Sequence, residues 1–134
     1  MKTFYIFKIN SMFKTTYNNK SDALYLMFYK IYKTFDIELF ARIVDLINQK
    51  DINNYILSNH IDEFYYYKRN NVHVIDNAFE KSIITINNLY IKLESDKITN
   101  SFLDDLTHLN NNFFVIDFEN KDYFWTNEAM NVLI

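Results

Sequence analysis

Acid–base or metal chemistry at neutral pH would fall to three histidines, His60, His73 and His108, and to a scatter of carboxylates. Their spacing argues against it. His60 stands in HIDE, which lacks the second histidine four residues on that would put two metal ligands on one helical face, and it reads as a solvated loop residue. His73 alternates with Val72 and Val74 in a strand-like run and should lie across the strand from them. His108 falls late in a helical stretch, where its charged form suits the helix dipole. Asp104 and Asp105 are neighbours, so around a helix they point about 100° apart and cannot face one another as acid and base. Both read as solvated. Asp117, in FFVIDF, is a carboxylate among apolar residues and needs a partner if buried; Lys121, across a turn, is the one the sequence offers. No serine has a histidine at a recognisable nucleophile spacing. The residues describe a protein that is not an enzyme.

Composition narrows the field further. The 134 residues include no cysteine, so there is no thiolate nucleophile, no Cys-ligated zinc and no disulfide, and a reducing cytoplasm is the compartment that fits. Glycine and proline are also absent, which removes phosphate-binding loops and dinucleotide fingerprints. Turns must then fall to asparagine, which tolerates left-handed backbone better than other residues with a side chain. Pairs of asparagine at 18–19, 53–54, 70–71 and 87–88, and a run at 110–112, match that need. Net charge is −3, from 14 Lys and Arg against 17 Asp and Glu, and Lys68-Arg69 is only a short basic step. FYYYKRN sets rings beside that step, as a single-stranded nucleic-acid binder requires, but without the glycine and lysine signature of RNA-binding sheets. Direct nucleic-acid binding is therefore the weaker reading. Lys8 interrupts the apolar start before it reaches signal-peptide length, and no uncharged span is long enough to cross a bilayer.

The elements that would position any site follow from periodicity. TFYIFKI (3–9) predicts a central strand with apolar side chains on both faces. After a linker at 10–20, Ser21 reads as an N-cap, Leu24, Met27, Phe28 and Ile31 recur at helical spacing, and Tyr25, Tyr29 and Tyr32 flank that stripe. A second helix is predicted from Asp36 to Asn48, with Leu39, Ile43, Leu46 and Ile47 inward and Glu38, Arg42, Asp45 and Gln49 outward. Residues 50–62 are ambiguous. FYYYK (64–68) and VHVID (72–76) form a hairpin, as do SIITI (82–86) and LYIKL (89–93) around a two-residue Asn87-Asn88 turn. A third helix, capped by Ser95 or Asp96, carries Ile98, Phe102, Leu106 and Leu109 inward and stops at 110–112. FFVIDF and YFWT close the chain around a turn at ENK. The whole reads as a single α+β domain over 1–134, a mostly antiparallel sheet with about three helices packed on it.

Two segments together resemble a known family. FYIFKINSMFKTTYNNKSDALYLMF runs from a strand through Phe13 and, four residues on, Tyr17, then through a loop into an amphipathic helix. FFVIDFENKDYFWT contains Asp117-Phe118, Asn120, Lys121 and Tyr123-x-Trp125. In this order and at this separation they are similar to SirA, the sporulation inhibitor of replication. The resemblance implies a non-catalytic protein without cofactor, metal or small-molecule substrate, which binds the N-terminal domain of the initiator DnaA and hinders its assembly at the origin. It also implies that Phe13 and Tyr17 contact DnaA, and by position extends that surface to Arg42 and Asp45. The family glycines expected near Asn19 and between Tyr123 and Trp125 are replaced here, the latter by Phe124. Read from the residues alone, Phe13 and Tyr17 could instead pack beneath the linker. A regulatory module with another protein target and a sheet-based single-stranded nucleic-acid binder also remain open at this stage.

Overall fold

The strand β1 (Lys2–Lys8) runs through the middle of the molecule. Phe4 and Ile6 project to one side of it and Tyr5 and Phe7 to the other, the pattern of a strand covered on both faces. The computed structural model describes residues 1–97, 100–109 and 112–126. Among these, six further strands follow: β2 (Tyr66–Arg69), β3 (Val72–Asp76), β4 (Lys81–Ile86), β5 (Ile91–Ser95), β6 (Phe113–Asp117) and β7 (Asp122–Trp125). They form one antiparallel sheet in the order β2-β3-β4-β5-β1-β6-β7. Five helices pack on it: α1 (Ser11–Tyr17), α2 (Ser21–Thr34), α3 (Ile37–Ile43), α4 (Gln49–His60) and α5 (Ser101–Leu109). The α+β reading holds, with more helices than the sequence suggested.

Two cores result, one per face. On the first, Ile52 and Ile56 of α4 and Phe102 and Leu106 of α5 meet Phe4, Ile6, Ile84 and Leu93. On the second, Leu24 and Phe28 of α2 and Ile43 of α3 meet Phe7, Phe114 and Trp125. Each such large apolar side chain contributes about 1.5–3 kcal/mol by leaving water. Tyr25 belongs to this second core rather than to its flank, stacked on Tyr123 with ring centroids 4.6 Å apart. No helix among the described residues is long and apolar enough to cross a membrane.

Several boundaries differ from expectation, each for a local reason. The supposed linker contains α1, whose N-cap Asn10 accepts a hydrogen bond from the Phe13 N–H at 2.9 Å. The second predicted helix stops at Ile43, because Val44 turns extended and bridges Ile9 at the end of β1. That leaves Leu46 exposed, although the periodicity had placed it inward, while Ile47 remains buried. The ambiguous stretch is α4, started by Asn48, whose side chain accepts from the Asp51 N–H. The Asn87-Asn88 turn is a four-residue loop, since Ile86 pairs with Ile91, and neither asparagine has positive φ. Ser95 is not a helix cap but the end of β5, buried and hydrogen-bonded to Ser82; Asn100 caps α5 by accepting from the Leu103 N–H. Ile98 and the first two asparagines of 110–112 lie outside the described residues.

Left-handed backbone occurs among the described residues at Phe35 (φ 54°), Asn70 (φ 55°) and Lys121 (φ 53°). Asparagine thus fills only one of these three positions. At the turn after β6, Asn120 is engaged elsewhere, donating from both its backbone and its side chain to the Asp117 carboxylate, and the strained position passes to Lys121. Phe35 caps α2 with its N–H donating to the Ile31 carbonyl, a place where glycine is the usual occupant. Because a residue with a Cβ loses roughly 1–2 kcal/mol there, and glycine gives back part of the gain through the freedom of the unfolded chain, Phe35→Gly should stabilise the protein by about 1 kcal/mol. An upward shift of the urea midpoint at low protein concentration checks it.

Candidate functional site

Phe13 and Tyr17 are separated by one turn of α1 and therefore share a face. Their rings stack at 5.8 Å with planes only 9° apart. Both are half-buried and pack against the second core, so they support α1 and still leave ring surface to solvent. Between them in sequence, Lys14 sets its ammonium 3.8 Å over the Trp125 ring and donates to Asn18 at 2.7 Å. Trp125 is almost wholly buried. A seven-residue helix is marginal alone; its cap, its stacked pair and its lysine over Trp125 fix it to the fold.

Arg42 and Asp45 are brought to the same end of the sheet by the segment that follows α3. The Asn10 N–H donates to the Ile43 carbonyl at 2.9 Å, its side-chain amide donates to the Arg42 carbonyl, and the Asp45 N–H donates to the Lys8 carbonyl at 2.8 Å. The residue that caps α1 thus also ties down Arg42. Asp45, however, is not on the exposed side of a helix with Arg42, since α3 has ended by then; Arg42 is exposed and Asp45 half-buried. Two apolar side chains on these same segments are exposed: Met12, which was not singled out from sequence, and Leu46, which periodicity had assigned to the core. The available signal was Asn10 three residues before Phe13, a capping spacing hidden in a stretch too short to show periodicity.

The histidines occupy a different place. His60 is buried at the end of α4, not solvated, with Nδ1 2.8 Å from Glu63 Oε1 and Nε2 2.6 Å from Asp105 Oδ2. Asp105 is likewise buried rather than solvated, and accepts a second bond from the Asn59 amide at 3.0 Å. Burial by itself would lower the His60 pKa, but the hydrogen bonds and charges of Asp105 and Glu63 together outweigh it and raise it. His73 faces the first core, where its Nε2–H donates to Asn53 and its Nδ1 accepts from the Tyr66 hydroxyl, each at 2.7 Å. Burial, with Lys68 and His60 nearby, lowers it to about 4, so it is neutral. Burial and the Asp105 charge push Tyr66 up to about 12. Both nitrogens of each ring are committed inside the protein, which suits cross-linking of elements rather than proton transfer to a substrate. Asp117 is buried, and the partner it then needs is Asn120 rather than Lys121.

An apolar recess of about 560 Å³ opens between α2, α3, β1 and the β4–β5 turn. Eight of its eleven lining residues are aromatic and none is charged, so it suits apolar groups, with the tyrosine hydroxyls of Tyr5, Tyr32 and Tyr90 as its side-chain polar groups.

The described residues form an α+β fold whose surface carries, beside its charged groups, large exposed apolar side chains such as Met12, Phe35, Ile37 and Phe64. The profile described as sporulation inhibitor of replication protein SirA matches residues 2–130, and the chain belongs to that family. The family description gives the role at this level, inhibition of replication. Comparison with curated proteins gave no match.

Proposed function

We propose that this protein acts in the cytoplasm as an inhibitor of chromosome replication initiation, binding the N-terminal domain of DnaA and hindering its assembly at the origin. Phe13 and Tyr17 form the centre of the contact, and Arg42 and Asp45 its polar edge. The observation that carries this reading is the stacked pair on α1, already ordered by packing and by the Asn10 cap and still partly open to solvent. Pre-ordered aromatic anchors lose little freedom on binding, and such residues dominate interface energies. Membership of a family of replication inhibitors supports a partner in replication initiation.

Calorimetric titration with the isolated N-terminal domain of the host DnaA tests the proposal directly. Saturable one-to-one binding is expected, over an interface of the ordinary size of about 800 Å² per partner. Absence of binding by the wild-type protein would overturn it.

A further inference from the structure

Asn10 stands where two short helices meet. It is the N-cap of α1 and is hydrogen-bonded to the last two residues of α3, and each of these helices is seven residues long. Helices that short are marginal alone, so their relative placement rests on what joins them. At its C-terminal end α3 leaves carbonyls without a partner inside the helix, and at its N-terminal end α1 leaves N–H groups in the same state. Asn10 serves both ends.

Its Oδ1 accepts from the Phe13 N–H at 2.9 Å, while its Nδ2 donates to the Arg42 carbonyl and its backbone N–H donates to the Ile43 carbonyl at 2.9 Å. The side-chain amide has one orientation here, since turning it round would set donor against donor at Phe13 and acceptor against acceptor at Arg42. The backbone around it is held as well. Ile9 donates to the Asn112 carbonyl at 2.8 Å and bridges Val44, and the Lys8 carbonyl accepts from the Asp45 N–H at 2.8 Å. Aspartate and serine cap a helix about as well as asparagine does, but of the three only asparagine sets an amide donor beside the capping oxygen. The second bond, to Arg42, is what singles out asparagine at this position.

We propose that Asn10 is a positioning residue for binding of the N-terminal domain of DnaA: its amide fixes Arg42 relative to Phe13, so that residues from two separate helices present one preset surface. This rests on the DnaA reading above. Asn10 acts through the backbone of Arg42, so the affinity that Arg42 contributes depends on the Asn10 amide, whereas the contribution of Phe13 depends only on the cap.

Calorimetric titration of the full chain with the N-terminal domain of DnaA is the test, using Asn10→Ser and Asn10→Asp. Both variants keep a capping oxygen and remove the amide donor, one without added charge and one with it. Each should bind about fivefold more weakly than the wild type, with circular dichroism showing it folded. A purely structural role would lower stability without changing which residues matter to binding, so the coupling to Arg42 decides. Arg42→Ala should weaken the wild type about fivefold but Asn10→Ser by about twofold at most, while Phe13→Ala should cost the same factor in both backgrounds. Unchanged affinity in Asn10→Ser overturns the proposal, as does a loss confined to Asn10→Asp. So does an Arg42→Ala effect that is equal in the two backgrounds or absent from the wild type. A wild-type chain that does not bind at all overturns the DnaA reading itself, and this role of Asn10 with it.

Discussion

Tyr17→Ala should weaken binding to the N-terminal domain of DnaA by about 2 kcal/mol or more, roughly thirtyfold, the loss typical of a central aromatic anchor. Phe13→Ala should cost a similar amount, and the double variant less than the sum, because each ring is the other's stacking partner. Both rings also pack on the second core, so each truncation destabilises the fold as well. The two effects separate at Met12. Its side chain is 76% exposed on the same helix, so Met12→Asp should leave the urea midpoint nearly unchanged. A clear loss of affinity in that folded variant locates the contact on α1. Full affinity in Met12→Asp and in Tyr17→Ala, with only stability reduced, would confine the rings to a packing role.

Asp105→Ala should cost about 3 kcal/mol of stability, since removing one member of a buried, hydrogen-bonded charge pair leaves the other uncompensated. In a domain of this size that lowers the melting temperature by about 10 °C. The carboxylate holds His60 and Asn59 of α4 to α5, so the loss falls on the join between the two helices of the first core. The pH dependence carries a sign that can be checked. His60 has its pKa raised in the folded state, so its contribution is complete below the unfolded value of about 6.5 and is lost as pH rises through the folded pKa. His73 is lowered to about 4, so its contribution is complete above the unfolded value and is lost as pH falls from there towards 4. The two slopes oppose each other, so the combined contribution of the two histidines is greatest near the unfolded value of about 6.5. Urea titrations across that range in wild type and Asp105→Asn distinguish them: the variant should lose the decline on the alkaline side and keep the one on the acid side.

The strands were legible in the sequence because period-two patterns and asparagine turns are local. β1 was assigned to the centre from apolar residues on both its faces, and it lies between β5 and β6. What was lost came from contacts distant in sequence. Nothing within residues 36–48 shows that Val44 will bridge Ile9, and that bridge ends the helix early and exposes Leu46. Nothing within HIDE shows that Asp105, 45 residues on, will bury His60. Of the four residues assigned to the interface from a family likeness, Phe13 and Arg42 are joined through Asn10 and Asp45 through Lys8, while Tyr17 lies a turn further along α1; the residues between them gave no sign of those links. The recess was invisible for the same reason: its lining is drawn from four separate stretches of chain.

The position of β1 has a consequence for how the chain reaches its fold. Its two neighbours, β5 and β6, begin at Ile91 and Phe113, so β1 is separated in sequence from both its partners by most of the described residues. The meander β2–β5 and the hairpin β6–β7 can each form from near neighbours, but closing β1 between them requires pairings such as Tyr5 with Lys92 and with Ile116. The pairings most distant in sequence are therefore concentrated in β1, whose closure carries the largest loop-closure entropy in the sheet. TFYIF, apolar on both faces, is covered only once those distant pairings have formed.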